Sequence, residues 1–207
     1  MTRGAEVRRI FERYLVEVVE RHALCPWART AREAGELAVG IVWGTPSLDA
    51  WIAEAGRLLA APATRVAMVI APQLAIARPA FGGLRDQVAA ALPAAGVAEF
   101  HPDAALDLAT PARLVPFLRR SPDPLLQLVP LALLEAERAA SPSAPLAAQI
   151  AMLAGHAGPA RPPIADRIAA VNHATVARAH AEITAALDAI AADRRTAYAR
   201  VGITAGP

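Results

Sequence analysis

Apolar positions recur every three or four residues near the start of the chain. Between residues 5 and 24, Val7, Ile10, Phe11, Tyr14, Val18 and His22 share one stripe, with Arg8, Arg9, Glu12, Arg13 and Glu20 off it. That period is the mark of an amphipathic helix. Pro26 disfavours helical backbone at the residue before it, so the helix is predicted to stop near Leu24 and leave Cys25 at its C-terminal end. Glu36 to Trp43 alternates loosely and is rich in β-branched residues, which predicts a strand; Gly44-Thr45-Pro46-Ser47 then leads into a helix capped by Ser47 and running through Trp51, Ile52, Leu58 and Leu59. Arg65 to Ile70 is a short continuous apolar run, the form of a strand covered on both faces, ended by Ala71-Pro72. A further helix is predicted within residues 79 to 92, and a third short strand from Val97 to Phe100.

After residue 103 the strand signals stop. Helical segments are predicted at about 111 to 119, 125 to 140 and 144 to 155, separated by Ser121-Pro122-Asp123-Pro124 and Ser141-Pro142-Ser143-Ala144-Pro145. Beyond a Gly- and Pro-rich stretch, Ile164, Ile168, Val171, Thr175, Ala179, Ile183, Leu187 and Ile190 form one stripe, which predicts a long last helix docked on the domain or on a second subunit. The expected fold is therefore α/β or α+β: a small sheet of about three or more strands covered by helices, with a helical C-terminal half. The expected organisation is a single globular domain over residues 1–155, a linker at 156–163 and the long helix within 164–207.

Composition narrows the chemistry. The hydrophobic share of the 207 residues is 55%, but much of it is alanine, and no apolar run reaches transmembrane length. The N-terminus runs into the first amphipathic segment without the apolar core of a secretory signal, so a cytoplasmic protein with no membrane contact is expected, its one cysteine unable to form an intrachain disulfide. All 21 basic residues are arginine, and the absence of lysine excludes Schiff-base catalysis, a pyridoxal-phosphate anchor and a P-loop lysine. The net charge of +2 and the scattered arginines argue against nucleic-acid binding. No P-loop or Rossmann nucleotide motif occurs, nor a GxSxG, HExxH or CxxC pattern.

Polar residues gather between Glu99 and Leu128. His101 and Asp103 follow the third predicted strand, where ligand groups of layered α/β proteins collect, and Arg119 and Arg120 precede a double-proline turn suited to bidentate contact with an anion. Cys25 reads either as a nucleophile or soft metal ligand or as a small buried hydrophobe. The negative end of a helix dipole disfavours a thiolate, so a reactive Cys25 depends on other groups. His101 reads either as a general acid/base or as a structural histidine held by a loop carbonyl; Asp103 either orients it or caps the next helix. The arginines equally suit internal ion pairs with Asp103, Asp107 or Asp123. His173 and His180 stand two helical turns apart, too far for a helical metal pair, and His156 lies in the expected linker.

These segments resemble a bacterial family known as domain of unknown function 1415. Leu24-Cys25-Pro26-Trp27-Ala28 is similar to its Leu-Cys-Pro-Phe-Ala motif, Phe100-His101-Pro102-Asp103 to its Phe-His-Pro-Asp, and Arg119 to Leu128 to its Asn-Arg-Ser-Pro-Tyr-Pro-x-Leu-His-Leu; Asn172 matches an Asn in its last helix. The chain departs from the pattern at Gln127, where the family has His, at Arg119, where it has Asn, and at Asp123, where it has Tyr. The resemblance implies one site containing Cys25, His101 and Arg120, with Arg119, Asp103, Gln127 and Asn172 around the ligand. A metal held through Cys25 and His101 is possible, with Gln127 in place of a family ligand. The expectation is an enzyme acting on a small anionic molecule, with Arg120 holding the anion, His101 as general acid/base and Cys25 as nucleophile or metal ligand. The alternative is a non-catalytic binding or partner subunit, as a homo-oligomer or with another protein, using the last helix.

Overall fold

A computed structural model describes residues 2–140 and 164–204. The predicted helix at 144–155, the linker at 156–163 and His156 lie outside the described residues.

Helix α1 (Arg3–Tyr14) starts at Thr2, whose side chain accepts from the Ala5 N–H. It does not run on as an α-helix to Leu24. Residues Leu15–Glu20 widen into a π-helical turn, and the chain then leaves the helix through Ala23, which has a positive φ of 52°. Cys25 thus sits in an irregular turn rather than at a helix end, followed by the short α2 (Ala28–Glu33). The early departure has a local reason: the wide turn keeps Leu15, Val18 and Val19 all buried, a broader apolar face than the α-helical period alone provides.

Strand β1 (Leu37–Ile41), α3 (Leu48–Leu59) and β2 (Val66–Ile70) form a parallel crossover unit, with Ser47 capping α3 through the Ala50 N–H. Helix α4 (Arg78–Ala91) and β3 (Ala95–Phe100) follow. After α5 (Pro111–Leu118), capped by Thr110, the chain returns through β4 (Leu125–Pro130), which inserts antiparallel between β2 and β3 and gives the sheet order β1-β2-β4-β3. The expected helix over 125–140 is therefore a strand for its first six residues, and only α6 (Leu131–Ala140) is helical. Leu125, Leu126 and Leu128 are buried, so both faces of β4 are covered, and the proline on either side of LLQLV favours extended backbone. The result is an α+β fold.

Each face of the sheet meets its own core. Ala67, Val69, Leu126 and Leu128 point to α3 and α4 and pack on Trp51, Leu58, Phe81 and Val88. Met68, Ile70 and Leu125 point to α1, α5 and the long α7 (Ile164–Arg200). The buried stripe of α7 is Asn172, Val176, Ile183, Leu187, Ile190, Ala197 and Tyr198; from Ile183 onward it agrees with the predicted stripe, but Val171 is 61% exposed and Val176 replaces Thr175. A strict stripe drifts around a straight helix of this length, which accounts for the change of face. The last helix packs on the same core as α1, and ion pairs join the two, with Asp193 accepting from both Arg9 (2.7 Å) and Arg13 (2.6 Å).

Candidate functional site

Where α1, the π-helical turn and α2 meet the sheet and α5, they leave a cavity of about 270 Å³. Its walls are apolar, built from Phe11, Leu15, Leu37, Met68, Phe100 and Leu118 among others; the polar groups on it are Tyr14, Cys25, Gln127 and Arg119. Among the described residues, Arg119 carries the only ionic charge on the lining. Each polar group has its own structural origin. Tyr14 ends α1, Cys25 is carried by the turn after Ala23, Gln127 is the central residue of β4 opposite Met68 and Ala98, and Arg119 is the C-cap of α5.

Two features of this region are not of the kind that packing alone favours. Tyr14 is 3% exposed, yet its hydroxyl has no hydrogen-bond partner among the described residues. Burial, with a smaller contribution from Cys25, raises its pKa well above the ordinary phenol range, so it is a neutral donor buried in the cavity wall. The second is the left-handed backbone at Ala23 beside a π-helical turn, both forms concentrated at functional sites. The turn is tied down from α7, where the buried Asn172 Nδ2 donates to the Leu24 carbonyl at 3.0 Å.

The structure does not gather the expected residues into one cavity. Cys25, Gln127 and Arg119 are together. His101 instead lines a neighbouring cleft with Arg78, Glu99 and Arg119, and it is 4% exposed. One of its ring nitrogens, Nε2, lies 2.9 Å from the Ile76 carbonyl, and Nδ1 accepts from the Asp103 N–H at 3.1 Å. Both nitrogens are thus engaged by backbone, the arrangement of a structural histidine, and its own N–H donates to the Arg119 carbonyl. Asp103 meets the ring through its main-chain N–H and with a carboxylate oxygen 3.7 Å from Nδ1, its side chain being 75% exposed, and the next helix is capped by Thr110 instead. Arg120 turns to α7, its Nη2 3.6 Å from Asp188, and lines neither space. The cause is the end of α5: successive residues there point in different directions, and Arg119 takes the side facing the cavity.

Cys25 and His101, named above as a possible metal pair, line different spaces, an arrangement that does not suit joint ligation of one ion. Among the described residues no group of three or more His, Cys, Asp and Glu is placed to hold a metal ion. Asp123 is buried and bonded to Arg194 (2.7 Å) and Tyr198 (2.6 Å), so its position in the double-proline turn serves packing of α7. His173 likewise meets the Leu108 carbonyl at 2.9 Å.

Tyr14 and Arg119 are the residues that sequence reasoning undervalued. Tyr14 lay on the predicted apolar stripe, and the available signal was its hydroxyl, which a buried face must either pair or leave open to a ligand. Among the described residues no helix is long and apolar enough to cross a membrane. Comparison with protein-family models, with curated proteins and with solved structures gives no match.

Proposed function

We propose that the protein binds a small organic anion in the cavity beside Cys25, with Arg119 as the anion's partner and the thiol as the group presented to the bound molecule. The observation that carries this reading is the chemistry of the lining: one guanidinium, one thiol, one carboxamide and one unpaired phenol on an otherwise apolar wall. Pockets for small molecules have this composition, apolar walls with a few placed polar groups. Arg119 has only a loose internal partner, with Glu99 at 3.8 Å, so its charge is available to a ligand. Kinship with the domain-of-unknown-function 1415 family is part of the same proposal and rests on the three motif segments.

The test compares two alkylating agents of similar size, neutral iodoacetamide and anionic iodoacetate. Iodoacetate should label Cys25 with saturation kinetics, and Arg119→Gln should reduce its labelling rate about tenfold while leaving iodoacetamide unchanged. Mass spectrometry locates the label. Slow labelling by both agents, or a preference indifferent to Arg119→Gln, overturns the reading. Turnover at the thiol is the second reading, favoured by the left-handed Ala23 two residues before Cys25. It requires a proton carrier other than His101, whose nitrogens are both engaged, and is tested by loss of substrate conversion in Cys25→Ser with binding retained.

A further inference from the structure

Beside the Cys25 cavity lies a trough of about 430 Å³ on the same sheet face, floored by Gly96, Ala98 and Val129 and bounded by Trp27, Val66 and Leu133. Cys25, Trp27, Ala31, Val66 and Gln127 line both spaces, so cavity and trough adjoin with the thiol on their shared wall, and a ligand that spans both would run past it. Strand register gives their combined length. The inner end lies at the Phe100–Leu125 pair, near Arg119, and the outer end at the Gly96–Val129 pair four residues away along β3 and β4. At strand spacing this is roughly 13 Å, about the length of a ten-carbon chain.

From this geometry we infer that the ligand is an elongated aliphatic monocarboxylate, a medium-chain fatty acid. Its carboxylate lies at Arg119 and Tyr14, and its chain lies along β3 and β4 past Cys25 to Leu133. Charge sets the orientation. The inner cavity holds a single cation, Arg119, whereas the outer arginine, Arg65, is paired with Glu36 at 3.5 Å. A carboxylate at the inner end also accepts the hydrogen bond that the buried Tyr14 hydroxyl lacks. The chain then covers apolar surface that the described residues leave open, including Trp27, which is 43% exposed. The second arginine on the lining, Arg65, is already engaged by Glu36, which favours one carboxylate over two, and inorganic phosphate leaves the apolar length unused.

This inference rests on the proposed anion site, and the experiment separates the two. Titration calorimetry with butyrate, hexanoate, octanoate and decanoate should show affinity rising about fifteenfold for each two carbons added, since each methylene leaves water on entering the trough. Decanol should bind at least tenfold more weakly than decanoate, and Arg119→Gln should erase that difference. Ala98→Phe, which fills the trough floor, should leave butyrate unaffected and abolish the gain from hexanoate to decanoate. Equal affinity for all four acids in the unmodified protein, or decanol binding as well as decanoate, overturns the inference without needing either variant to fold. If butyrate binds through Arg119 with no dependence on chain length, the anion site stands and the fatty-acid assignment falls. If no acid binds and iodoacetate shows no preference, both fall.

Discussion

The Tyr14 hydroxyl has lost its water without gaining a partner, a state that costs about 1–3 kcal/mol. Tyr14→Phe keeps the ring and deletes the unpaired group. It should therefore raise the thermal midpoint of the ligand-free protein by about 2–8 °C while weakening the binding of acids in the cavity. A scanning calorimeter checks the first and a titration the second; a lower midpoint would identify the hydroxyl as structural. Single residues also show how far a sequence can be read. Cys25 and His101 stand out in an alanine-rich chain because cysteine and histidine are rare there, and the arginine pair because it precedes a double-proline turn. Which of them meet is decided by the rotation at the end of α5 and by which carbonyls approach the imidazole, and neither follows from residue type. His101 is buried with both ring nitrogens on backbone, and Arg119 rather than Arg120 lines the cavity.

At the scale of elements, α1 and α7 are joined by charge as well as by apolar contact. Hydrogen bonds from Arg9, and then from Arg13, outweigh the cost of partial burial and hold the Asp193 carboxyl down to about 2. A carboxyl depressed in this way stabilises the fold fully above the ordinary value near 4, and the contribution disappears as pH falls from about 4 to about 2. Full linkage corresponds to ~2 kcal/mol, which solvent screening at this half-open position reduces to ~1 kcal/mol. Urea unfolding of Asp193→Asn should show that deficit at pH 7 and converge on the parent protein near pH 2. The strands show where pattern is ambiguous. RVAMVI and LLQLVP are both short apolar runs between turn signals, but the first is β-branched and the second is rich in leucine, which suits a helix equally well. Tertiary pairing with β2 and β3 decided the second. Leu126→Ala, the second residue of that strand and fully buried, should cost about 2–5 kcal/mol in the same measurement.

For the molecule as a whole, the last helix is a wall of the core. Ile183, Leu187, Ile190, Ala197 and Tyr198 are buried in the cluster that also contains Val7, Ile10, Phe11 and Met68. Its length and amphipathic period were legible in the sequence; the surface it covers was not, because a stripe says that a partner exists without saying whose. Removing residues 164–207 should abolish cooperative unfolding and leave rapid, unselective proteolysis, in place of the intact domain that an accessory docking helix would leave behind. Circular dichroism with limited trypsin digestion distinguishes these outcomes. The knot of Asp123, Arg194 and Tyr198 extends the point to folding in time. It anchors the turn that launches β4, the strand that knits the sheet together, to side chains some seventy residues further along. A nascent chain must therefore keep its central strand unsecured until Arg194 and Tyr198 have left the ribosome, so a translation pause between β4 and these residues would prolong exposure to chaperones and proteases.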